Sequence, residues 1–296
     1  MRQLRALLIA LVLALGLTVM PLLPAQAAST GTTGGAPVPV RNPNCHATLS
    51  VADRQDLIAS TDMSTITGFD DVLPRVEHIR DIFLRNHDNA GLFPLVYGEI
   101  TRRGTDQIGG NGTEYADPAF VDRLMVEFFR LYLKNLKAYL TGGRMDPQWR
   151  SYYQLASDCN RTIGRVAAAG INAHMVGDFP FAIRAAGATW ANYEDYMKIG
   201  IDLVKAIPVI SAATQSAYGA DLTQPMTIYW VGKLFDSVTQ PNMSPLMVFQ
   251  AVRWNAFVQA MMLTDRGLVE WVKFLSNLMW GTADLILSGL EANNLL

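Results

Sequence analysis

His174 and Asp178 stand four residues apart in a stretch whose neighbours Ile163, Ala167, Gly170, Ile171 and Phe181 are small or apolar. On a helix, positions i and i+4 share a face, so both titratable side chains leave from the apolar stripe and not from a solvated back. Two chemistries suit that pattern. A carboxyl group that orients an imidazole makes an acid–base pair, with His174 as general base and Asp178 fixing its ring. Alternatively, two such residues one turn apart converge on one divalent metal such as zinc, with His174 and Asp178 as its ligands. Asn172 adds an amide to the cluster. Pro180 lacks an N–H, so it predicts a kink with freed carbonyls beside the pair. Gly170 and Gly177 keep this surface thin, which lets another helix or a ligand come close.

Arg253 is the other conspicuous charge. It is the one charged residue between Ser244 and Met262, and a helical wheel places it among Leu246, Phe249, Ala256, Phe257 and Ala260. An unpaired buried charge costs several kcal/mol, so Arg253 needs a partner, and Asp178 is the expected one. This gives a non-enzymatic alternative. His174, Asp178 and Arg253 would form a structural buried network in a binding or scaffold protein.

The elements that must position these residues read as helices. Asp117-Pro118 caps and opens an amphipathic run through Leu140 that stops at Gly142-Gly143, and Asp146-Pro147 and Ser244-Pro245 repeat that opening. Val72, Val76, Ile79, Ile82 and Phe83 mark one helical face. Further helices are expected over 162–186, 193–216, 225–239 and 268–290, with a glycine-rich flexible loop over 102–116. The segment 244–264 is apolar on all sides and is expected to be the central helix. Alternating strand patterns are absent from the sequence. The fold class is therefore all-α: a single bundle-like domain over 45–296 with a central buried helix.

Arg2 and Arg5, the apolar Leu7 to Leu17, and Pro24-Ala25-Gln26-Ala27 have the layout of a signal peptide over 1–27. Residues 28–44 follow as a disordered leader rich in Ser, Thr, Gly and Pro. The expected destination is secretion or the cell envelope, without a stable membrane span after cleavage. Cys45 and Cys159 are the two cysteines; an even pair in an oxidising compartment is expected to be bridged, as a staple. Of 296 residues, 50% are hydrophobic and 17% charged, which excludes a disordered chain. A net charge of −2 offers no electrostatic footprint for nucleic acid.

Ala169-Gly170-Ile171-Asn172-Ala173-His174, followed by Asp178, Pro180 and Ala182, resembles the G-I-N-A-H-x-x-x-D-x-P-x-A segment of the bacterial domain-of-unknown-function family 5995. Gly91-Leu92-Phe93 through Tyr97 and Thr101, Phe120 through Tyr132, and Arg253-Trp254 with Ala256 are similar to it as well. The resemblance spans about residues 65 to 265, with Phe179 where leucine is usual. It implies an all-α fold, with the polar positions falling on Asn172, His174, Asp178 and Arg253, and brings no established activity. His174-Met175-Val176-Gly177-Asp178 also resembles the H-x-x-x-D metal segment of the secreted zinc phospholipase C and S1/P1-type nuclease group. The remaining histidines, His46, His78 and His87, all lie upstream and do not complete a multi-zinc pattern.

Two readings follow. In one, the chain is a secreted hydrolase working through an acid–base or single-metal site at His174 and Asp178, with Asn172 and Arg253 in attendance. In the other, it is a non-catalytic binding or scaffold protein, with a small-molecule or lipid-like ligand as its expected partner, in which the cluster of His174, Asp178 and Arg253 only specifies packing. A pocket that opens onto His174 separates them.

Overall fold

The computed structural model describes residues 40–42, 44–111, 115–223 and 244–296. The expected signal peptide, nearly all of the leader and the helix expected over 225–239 lie outside these residues. The described chain is helical: α1 (Val51–Ser60), α2 (Val72–Arg85), α3 (Leu92–Asn111), α4 (Pro118–Thr141), α5 (Pro147–Ala156) and α6 (Ile163–Asn172). A π-helical turn over Ala173–Asp178 leads directly into α7 (Phe179–Ala185). The rest comprises α8 (Tyr193–Lys205), α9 (Ile207–Tyr218), α10 (Ser244–Met262) and α11 (Val269–Ala292). Among the described residues, β pairing is limited to one antiparallel bridge between Arg41 and Thr162, and no helix is long and apolar enough to cross a membrane.

The caps obey local chemistry. Asp117 accepts from the backbone N–H of Phe120 with Pro118 in the first turn, and α4 ends on Gly142 at φ +70°, a left-handed conformation that suits glycine. Thr162 opens α6 by accepting from the N–H of Arg165. The expected single helix over 193–216 is two helices, α8 and α9, because Pro208 has no N–H to donate to the carbonyl four residues back.

Two expectations need correction. The stretch 102–116 begins as helix, since α3 continues to Asn111. Glycine costs a helix about 1 kcal/mol and does not forbid it; a Cβ at Gly104 would meet the ring of Phe69 at an ordinary contact distance of 3.4 Å. The central element is also not α10 but the run from α6 through the π turn into α7, buried without a break from Thr162 to Pro180. Gly164, Ala167, Ala168, Ala169 and Gly170 make α6 thin, so α3, α5 and α11 all pack on it, while α4 and α10 pack on α7. Small residues, and not apolar bulk, put this run at the centre. α10 is its neighbour, buried from Asn255 to Ala260.

Candidate functional site

The π turn explains how His174 and Asp178 are presented. Pro180 removes the donor that an α-helix would aim at the carbonyl of Val176. The chain answers with a wider turn in place of a sharp kink, and the Val176 carbonyl instead accepts from the hydroxyl of Ser276 on α11, at 2.9 Å. Such bulges re-aim side chains inside otherwise regular helices. Gly170 and Gly177 do make the surface thin, but helices fill the space. A Cβ at Gly170 would lie 3.0 Å from Phe93 on α3 and Tyr152 on α5, and one at Gly177 would lie 2.8 Å from Cγ of Gln148 on α5.

His174 and Asp178 meet. His174 Nδ1 and Asp178 Oδ2 are 2.9 Å apart, and the indole N–H of Trp149 on α5 donates to the same Oδ2 at 2.9 Å. Both members of the pair are 3% exposed. Burial holds the His174 imidazolium well below the usual histidine range. Burial also pushes the Asp178 carboxyl well above the usual carboxylate range, with the Trp149 hydrogen bond opposing it. Both shifts favour a pair without net charge, sharing one proton between Oδ2 and Nδ1. In that state His174 Nε2 carries its own hydrogen and is a donor.

The imidazole is held by rings on every side. It stacks on Phe128 of α4 with centroids 3.4 Å apart and meets the edges of Phe93 and Tyr97 of α3, each at 5.0 Å. Tyr152 fixes the start of α3, accepting from the N–H of Phe93 and donating to the carbonyl of Ala90. His174 lines a cavity of about 30 Å³ together with Tyr97, Met125, Phe128, Met175 and Ile199, among other apolar side chains. Two buried polar atoms of these residues lack a hydrogen-bond partner: His174 Nε2 and the Tyr97 hydroxyl. Burial and the nearby Asp178 raise the Tyr97 hydroxyl above its usual range, so it stays protonated.

The other two expected site residues are elsewhere. Asn172 is fully buried, and its amide donates to the carbonyl of Trp280 on α11 at 3.2 Å. Arg253 does not pair with Asp178. Its guanidinium lies 4.1 Å from the ring centroid of Tyr196 and 5.1 Å from that of Phe179, and donates to the Tyr196 carbonyl. Gly200 leaves the room for it, since a Cβ there would sit 2.7 Å from Arg253 Cδ. The wheel placed Arg253 in the interior correctly, but among the described residues its guanidinium meets the faces of Tyr196 and Phe179 and a backbone acceptor, and not Asp178. Trp149 and Phe128 were not foreseen. Tyr97 stood in one of the outer motifs, where its type alone said nothing of a cavity.

For a metal, His174 and Asp178 offer two ligands, and Nδ1 of the one is already hydrogen-bonded to Oδ2 of the other. Among the described residues, the one group of three or more His, Cys, Asp or Glu close enough to share an ion is Cys45, His46 and Cys159. The two cysteines of that group are joined as a disulfide, with Cα atoms 5.0 Å apart, which agrees with the expected pairing.

A family model described as a family of unknown function, DUF5995, matches residues 69–279, well over half of the chain. No curated protein and no solved structure matches.

Proposed function

We propose, for a chain that belongs to the DUF5995 family of unknown function, that the His174–Asp178 pair is a binding site for a small, largely apolar ligand bearing a carbonyl oxygen. The observation that carries this reading is the pair of unpartnered donors, His174 Nε2–H and the Tyr97 hydroxyl, on residues that line one apolar cavity. An unsatisfied buried polar atom costs about 1–3 kcal/mol, and an acceptor oxygen placed between two of them would relieve both. The shared-proton state makes His174 a donor and not the general base that spacing alone suggests. Asp178 and Trp149 hold the ring so that Nδ1 is occupied and Nε2 is left without a partner.

A cavity of about 30 Å³ admits one small group. Met125 and Met175 in its wall are flexible and can yield to a longer apolar tail. The same two donors would stabilise negative charge growing on a carbonyl oxygen, so hydrolysis of small esters is the activity to screen for. Export of the chain to an oxidising compartment fits the Cys45–Cys159 bridge.

The test compares four- to six-carbon ketones and esters with alkanes of equal size, by chemical-shift titration of the full chain. Preference for the carbonyl compounds is expected, and Tyr97→Phe should weaken their binding about tenfold, one hydrogen bond's worth. The variant should fold at least as stably as the wild type, since it discards an orphaned hydroxyl. Equal binding of alkanes and ketones, unchanged by Tyr97→Phe, would reduce the cluster to a packing device.

A further inference from the structure

Among the described residues outside the His174 cavity, a second gathering of reactive side chains lies at the edge of the molecule, where the segment before α1 crosses the turn before α6. Cys45, His46 and Cys159 each bring one ligand atom there, all within 4.8 Å of one another. His46 Nε2 lies 3.4 Å from Cys159 Sγ. In the oxidised chain the sulfurs are spent on each other, and a disulfide sulfur is a poor metal ligand. Thiolates are strong ones, and two thiolates with an imidazole are a preferred donor set for zinc.

We propose that this edge is a redox-gated site for a thiophilic divalent cation: closed as the Cys45–Cys159 disulfide, and open as a Cys45–His46–Cys159 triad once a thiol or phosphine reductant has acted. The reduction takes two electrons from the reductant and leaves two thiols; the two protons come with a thiol reductant, which is oxidised to its disulfide, or from water when a phosphine is oxidised to its oxide. Cation binding then releases those two protons and forms two metal–sulfur bonds and one metal–nitrogen bond. A fourth position stays open to solvent, because His46 is exposed and both cysteines are half-buried.

The triad survives reduction because the disulfide is not what brings the two segments together. The Asn42 N–H donates to the Arg161 carbonyl at 2.8 Å, and the Ile163 N–H to the Val40 carbonyl at 2.9 Å. The Asn42 side chain donates to the Ala156 carbonyl at 2.8 Å. On the far side, Glu291 of α11 accepts from the Thr162 N–H at 2.8 Å and from Arg161 at 3.0 Å. The backbone is therefore pinned on both flanks of Cys159 and just before Cys45. Binding needs the sulfurs to part to roughly 3.5–4 Å, the separation of ligands around a tetrahedral zinc. Cys45 and Cys159 both sit in turns, where side-chain rotation supplies that movement.

The experiment titrates Co²⁺ into the full chain, oxidised and then reduced with a phosphine, following thiolate-to-cobalt absorption and helical circular dichroism. The oxidised protein should show no thiolate band. The reduced protein should keep its helical signal and bind one equivalent with that band, which zinc then erases. His46→Ala should weaken binding roughly 10- to 100-fold, as loss of one ligand of three implies, and Cys45→Ser with Cys159→Ser should abolish the band. The proposal is overturned by a reduced, folded protein without the band, by a His46→Ala variant that titrates like the wild type, or by loss of the helical signal on reduction before metal is added.

Discussion

The His174–Asp178 pair and the Cys45–His46–Cys159 edge are both small clusters of reactive side chains, built in opposite ways. The first is enclosed by α3, α4 and α5, and its members are 3% exposed. The second joins two turns through backbone hydrogen bonds, with His46 in solvent. In the interior, desolvation disfavours the charged form of both groups. At the edge, the covalent bond between the sulfurs decides what the cluster can do. Burial makes one cluster answer to protons; exposure leaves the other to answer to electrons.

The largest effect expected is at the edge. Opening a disulfide that spans 114 residues should cost about 4–5 kcal/mol in the chain-entropy treatment, because the denatured chain regains that loop. The denaturant midpoint of Cys45→Ser with Cys159→Ser should fall while the native helical signal persists, since the pinning hydrogen bonds belong to the folded state. A midpoint equal to that of the wild type would mean that the bridge does not form.

Next comes the interior. Asp178→Ala strands the indole N–H of Trp149 and Nδ1 of His174 in an apolar surround, at about 1–3 kcal/mol each, so a loss near 3–4 kcal/mol is expected. Asp178→Asn keeps the shape and one acceptor, and should lose clearly less. Equal losses for the two variants would point to the carboxyl's charge, and not its hydrogen bonds, as what matters.

How much of each cluster the sequence revealed follows from the same contrast. Spacing on a helix is local, so the meeting of His174 with Asp178 could be read from four-residue separation alone. Pro180 announced disturbed hydrogen bonding, though not that Ser276, 96 residues away, would take the freed carbonyl. Trp149, Phe128 and the Tyr97 hydroxyl arrive from other helices, and no local pattern marks them. The same limit misdirected Arg253: its burial was legible, but the choice between Asp178 and the rings of Tyr196 and Phe179 is made by helix packing. Centrality was misread because bulk was weighed over thinness, and a helix of Gly and Ala outcompetes Leu and Phe where five others must converge. At the edge, the paired cysteines were legible by count, while His46 beside them looked like any exposed histidine.

The pH dependence of stability separates the two clusters further. Between about pH 4 and 6.5 the unfolded chain carries an ionised Asp178 and a protonated His174, one proton between them, as in the native pair. The pair's contribution is flat there. Above pH 6.5 the unfolded His174 is neutral while the native pair keeps its proton, so stability falls with rising pH by about 1.4 kcal/mol per unit until the pair gives that proton up. Below pH 4 the unfolded Asp178 takes a proton that the native pair has no place for, and stability falls again. Subtracting the profile of a His174→Gln, Asp178→Asn double variant from that of the wild type should leave this plateau with two falling limbs. A difference that instead rises from about pH 4 to 6.5 and then stays level through neutrality would show that the native pair has already lost its proton, as a general base would.

The smallest effect expected is the coupling between Asp178 and Arg253, and it reads the charge of Asp178 directly. An ionised carboxylate in this interior would feel the Arg253 guanidinium, which lies 5.1 Å from the ring centroid of Phe179, the next residue along the chain. A neutral carboxyl would feel almost nothing. Asp178→Asn replaces one uncharged group with another of the same shape, and Arg253→Met keeps an unbranched apolar stem against Tyr196 and Phe179. If the proton is shared with His174, the two substitutions should add to within about 0.5 kcal/mol in denaturant titrations at pH 6, as independent sites do. A coupling above about 1 kcal/mol would place a negative charge on Asp178, turn His174 into an imidazolium, and convert the neutral donor pair into an ion pair that Arg253 helps to hold.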